Sequence, residues 1–70
     1  MAVTAKQIHL LAEELRVIAE KLDDFRDSKE EVLGNTTNED RISSLEEQIG
    51  ILEDAINDVE SAASMLEDYI

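Results

Sequence analysis

Seventy residues make one domain at most, near the lower size limit for a self-sufficient core. The chain has no Cys, no Pro and no Trp, which excludes disulfides and thiolate metal sites and leaves no mark of an oxidising compartment. Its formal charge of -12, from 18 acidic and 6 basic residues, disfavours nucleic acid and anionic membrane as partners, because phosphate neutralisation needs Lys and Arg.

The segment Met1 to Leu15 carries His9, Glu13 and Glu14 and lacks a long apolar run, so it does not read as a signal peptide. No stretch approaches the roughly 18 apolar residues of a membrane span. A cytoplasmic location is the expectation.

The first predicted element is a helix over about residues 3–33. Ile8, Leu11, Leu15, Ile18, Leu22, Phe25, Lys29 and Val32 follow alternating steps of three and four, the a and d positions of four heptads. Lys29 alone breaks the apolar series, and its aliphatic stem can lie on a seam while the ammonium reaches water. Leu10 and Val17 add apolar c positions, and Ala12 and Ala19 apolar e positions, so this helix is apolar over more than half its circumference between Ile8 and Leu22.

The cluster Gly34-Asn35-Thr36-Thr37-Asn38 is the only turn-rich stretch, and it predicts a turn over 34–37. Gly34 suits the left-handed C′ position that ends a helix. Thr36 with Glu39, or Thr37 with Asp40, reads as the capping box of the next one.

The second predicted helix covers about residues 38–69. Ile42, Leu45, Ile49, Leu52, Ile56, Val59, Ala63, Leu66 and Ile70 repeat the a and d spacing. Each helix is about 45 Å long at roughly 1.5 Å per residue. A short connection makes the two antiparallel neighbours, with Phe25 near Ile49, Leu22 near Leu52, Ile18 near Ile56, Leu15 near Val59 and Ile8 near Leu66. Gly50, on the outer b position, costs about 1 kcal/mol relative to Ala. The expected fold is all-α: one domain over 1–70, an antiparallel two-helix hairpin with coiled-coil heptads.

Charge is unevenly placed along this hairpin. Through Gly34 there are eight acids and five bases, or -3; after it there are ten acids and one base, Arg41, or -9. In the second helix every e position is Glu: Glu46, Glu53, Glu60 and Glu67. The opposite flank is Gln48, Ala55, Ala62 and Tyr69 at g, with Ile51 and Met65 beside them at c and Asp58 interrupting. An isolated hairpin cannot bury both its seam and this second line. Leu10, Val17, Ile51, Ala55, Ala62, Met65 and Tyr69 are therefore the expected contact with a second copy, giving a four-helix bundle.

Signals of chemistry are sparse. His9 with Glu13 one turn on supplies too few ligands for zinc. Glu20, Asp23, Asp24, Asp27, Glu30 and Glu31 crowd the end of the first helix without the wrapping loop of a calcium site. Ser43, Ser44, Ser61 and Ser64 have no evident base. No Gly-rich phosphate loop is present. The expectation is a non-enzyme, with no cofactor and no catalytic or metal-binding residues.

The stretch "LEEQIGILEDAINDVESAASMLEDYI" resembles the "LEEAIDxLEEAI" endings of small acidic helical-hairpin proteins carried by bacteria and their mobile elements, a group that implies no assigned activity. The layout is also similar to the Rop-type dimeric four-helix bundle. The likeness stops at layout, because Lys6, Arg16, Lys21, Arg26 and Lys29 are dispersed among eight acids rather than gathered on an RNA-binding face. The leading expectation is a homodimeric protein–protein interaction or structural module. The alternatives are an acidic decoy for a basic nucleic-acid-binding protein, and a small subunit or chaperone covered by a different helical partner.

Overall fold

A computed structural model of the chain describes residues 3–70. It contains two α-helices, α1 (Ala5–Gly34) and α2 (Glu39–Glu67), packed along their length as a hairpin measuring 54 × 19 × 14 Å. No strand occurs among the described residues. The expectation of two long helices joined by one turn holds.

The helix ends differ from expectation in instructive ways. α1 starts at a signal the periodicity did not show. Thr4 Oγ1 accepts from the Gln7 amide at 3.2 Å, and the Thr4 amide donates to Gln7 Oε1 at 2.9 Å, a reciprocal capping box. At the other end Gly34 is not a left-handed cap. No glycine among the described residues has positive φ, and α1 runs through Gly34 to a C-cap at Asn35. The turn is thus 35–38, one residue later than expected.

Neither threonine caps α2. Asn38 does, its Oδ1 accepting from the Arg41 amide at 3.1 Å. Thr36 turns backwards instead, its hydroxyl donating to the Val32 carbonyl at 2.6 Å, while the Asn35 side-chain amide donates to the Glu31 carbonyl at 3.1 Å. The two side chains thereby satisfy carbonyls that the end of α1 leaves open. Ser, Thr and Asn all satisfy the same capping pattern, so sequence spacing could not choose among them.

The larger correction concerns the seam. α2 packs as its heptads predict, with Leu45, Ile49, Ile56 and Ala63 buried. α1 does not. Its inward line is Ile8, Ala12, Leu15, Ala19, Leu22, Arg26, Lys29 and Leu33, the a and e positions. The expected d residues Leu11, Ile18, Phe25 and Val32 are exposed, Phe25 by 63%. The expected facing pairs Ile18–Ile56 and Phe25–Ile49 are therefore not core layers.

Alanines at 12 and 19 give a physical reason. Small side chains on α1 let the bulky Ile and Leu row of α2 approach closely, whereas Ile18 and Phe25 facing Ile56 and Ile49 would hold the helices apart. The resulting core is thin. Its best-covered members are Ala12 and Ala63, both 0% exposed, and no large side chain is fully buried.

Candidate functional site

The α1 rotation divides the hairpin into two unlike long faces. Cross-helix contacts identify one of them. Arg16 donates to Glu67 at 2.7 Å and to Ser64 Oγ at 3.1 Å, and a notch between the helices is lined by Arg16, Ala19, Glu20, Asp23 and Glu60. The b positions of α1 (His9, Arg16, Asp23, Glu30) therefore border the e positions of α2. This face carries all four e-position Glu, every one exposed.

The Arg16 hydrogen bond holds the Glu67 carboxyl below its ordinary range, and the same contact raises the Arg16 guanidinium. Arg26 lies further along α1, where it pairs with Asp23 and Asp27. Burial lowers its proton affinity, but the carboxylates of Asp23, Asp27 and Glu30 raise it by more.

His9 is exposed on the surface of α1. Its Nε2 lies 2.8 Å from the Tyr69 carbonyl, a hydrogen bond made by the tautomer carrying hydrogen on Nε2. With no basic residue in the last turn of α2, His9 and Arg16 of the other helix tie down that end.

Helical geometry assigns the opposite face. If b of α1 borders e of α2, then d of α1 borders g of α2 on the other side. The four-residue turn between Gly34 and Glu39 keeps the helices level to within about a turn, so the row Leu11, Ile18, Phe25 and Val32 of α1 runs alongside Ala55 and Ala62 of α2. Ala55 and Ala62 are half-buried there, and Ile51 is exposed at the outer edge of α2. Lys21, Asp24, Phe25 and Ser28 line an open notch on the α1 side.

Of the residues read from sequence as the second line, Ala55 and Ala62 lie half-buried on this face and Ile51 at its edge, whereas Met65 lines a surface notch with Arg16, Glu60, Ser61 and Ser64, and Tyr69 lies past the end of α2 with its carbonyl on His9. Leu10 and Val17 sit on the back of α1, about half a turn from the α1–α2 contact. Sequence reasoning missed Leu11, Ile18, Phe25 and Val32 as face residues, having assigned them to the core. The available signal was the pair Ala12 and Ala19, one position further round, as an alternative close-packing line.

Among the described residues no three His or carboxylate side chains converge as a metal site, and no helix is long and apolar enough to cross a membrane. The fold and faces define a class, an acidic helical hairpin with one apolar side. Comparison with protein-family models, with characterised proteins and with solved structures finds no match for the chain.

Proposed function

We propose that the chain is a non-enzymatic interaction module that works as a homodimer, two hairpins burying their apolar faces to make a four-helix bundle. The observation that carries this is the row Leu11, Ile18, Phe25 and Val32, exposed along one side of a hairpin whose own core closes on alanines. These four are already about half covered, so closing the face adds about 3–6 kcal/mol per chain. That is comparable to the whole stability of a small domain. The face also has the right size. A side of 54 by 19 Å has a footprint of about 1,000 Å², against the roughly 800 Å² per partner of a standard stable interface. The -12 charge does not oppose this pairing at close range, because the Glu row lies on the far side.

Sedimentation equilibrium tests the reading with three proteins at matched concentration. The parent is expected to be a dimer. Ile18→Glu with Phe25→Glu is expected to be a monomer with much reduced helicity, and Glu53→Gln with Glu60→Gln a dimer. A monomeric parent, or a dimeric Ile18/Phe25 double variant, removes the proposal.

The exposed Glu row supports a second reading, because it stays on the outside of such a bundle. In this reading the module occupies the phosphate-binding surface of a basic protein. Retention of a nucleic-acid-binding protein by the parent and not by the Glu53/Glu60 variant, competed by DNA or RNA, is the expected outcome. Equal retention by both defeats it.

A further inference from the structure

Two hairpins can close on this face with their turns at the same end, α1 of each over α2 of the other. They can also close with turns at opposite ends, each helix over its own copy. We infer that the turns lie at the same end. This rests on the homodimer reading and adds the arrangement to it.

Side-chain size supports the inference first. On each face the bulky row belongs to α1 and the small one to α2. Same-end stacking sets the Ile18 and Phe25 row of α1 over the partner's Ala55 and Ala62 row of α2, large on small along both sides, which keeps the layer spacing even. Opposite-end stacking sets Ile18 over the partner's Phe25 on one side and alanine over alanine on the other, opening a wedge.

Charge supports it second. Lys21 lies at the α1 edge of the face and Asp58 at the α2 edge, within about one turn of each other in height. Neither makes an ion pair among the described residues. Same-end stacking brings Lys21 to the partner's Asp58, twice by symmetry, and explains why the apolar line tolerates an acid there. Opposite-end stacking in the register that covers the whole row, Leu11 over the partner's Val32, brings Lys21 to the partner's Lys21. On the scale of whole helices, same-end stacking lays each -9 half of the chain beside the partner's -3 half. Opposite-end stacking lays -9 on -9.

The absence of Cys makes the test direct. Thr37 is exposed in the turn, and Thr37→Cys takes a single nitroxide label. Pulsed dipolar electron resonance on the dimer is expected to give one label-to-label distance of about 20–30 Å, layer spacing plus label arms. A distance near 45 Å, about one helix length, overturns the arrangement while leaving the homodimer standing. No dipolar signal together with a monomer mass overturns both.

Charge reversal gives an independent readout. Lys21→Glu is expected to weaken the dimer about tenfold, and Lys21→Glu with Asp58→Lys to restore it. Lys6→Glu carries the same change in net charge away from the face and is expected to leave the dissociation constant within about twofold. Failure of Asp58→Lys to rescue, or equal weakening by Lys6→Glu, counts against the same-end pairing.

Discussion

The two long faces of this hairpin are built from the same two helices, two heptad positions apart on each, and they have opposite chemistry. One carries Glu46, Glu53, Glu60 and Glu67 beside Asp23 and Glu30, tied across the helices by Arg16 and His9. The other carries Leu11, Ile18, Phe25 and Val32 beside Ala55 and Ala62, with no polar tie between the helices among the described residues. The acidic face is finished by hydration. The apolar face leaves its large side chains in water. On α1 the buried residues are Ala12 and Ala19, while the larger side chains at d stay exposed.

The largest expected effect breaks the apolar face. Ile18→Glu with Phe25→Glu removes the proposed dimer contact and, with it, most of the cooperative unfolding transition seen by circular dichroism. In the proposed dimer, stability is linked to association by mass action, so the parent's melting temperature is expected to rise with concentration while the variant's is not. A concentration-independent parent removes that linkage.

Next in size is the internal contact, which separates the observed seam from the one periodicity suggested. Ala12 is fully covered, so Ala12→Leu overpacks the α1–α2 contact and destabilises by about 1–3 kcal/mol in urea unfolding. If Leu11 were the core residue and Ala12 the edge, the same change would be neutral or stabilising.

The two glycines give smaller effects with a definite sign. Gly34 and Gly50 are both helical, and a Cβ at either meets nothing within 4 Å. Gly34→Ala and Gly50→Ala are each expected to stabilise by up to about 1 kcal/mol. A loss at Gly34 would mean that it acts as a left-handed cap in solution, where alanine is strained.

The smallest effect lies on the acidic face. Glu67 has its folded pKa depressed by Arg16, so the pair contributes stability above the unfolded carboxylate value of about 4.3 and loses it as pH falls further. Arg16→Gln should melt slightly below the parent at pH 7, and the difference should close below about pH 4. Over the same range protonation relieves the repulsion of twelve net negative charges, so the parent's melting temperature should rise toward pH 4. A steady fall from pH 7 to pH 4 in the parent would show that native carboxylate contacts outweigh repulsion.

The sequence by itself determined two helices, their lengths to within a few residues, the turn between them and the wet flank of α2. Those properties follow from local propensity and from heptads that run unbroken on α2, where Glu at every e position leaves one way round. Only the tertiary structure decided which line of α1 faces α2. Between Ile8 and Leu22 that helix is apolar at a, c, d and e, so periodicity permits several rotations. The choice falls to a property of the pair, how closely two backbones can approach, and Ala12 and Ala19 settle it only once the bulky row of α2 lies opposite. The caps divide in the same way. Thr4, Thr36, Thr37 and Asn38 are all competent, and the path of the chain through the turn selects Asn38 for α2 and sends Thr36 back to the end of α1.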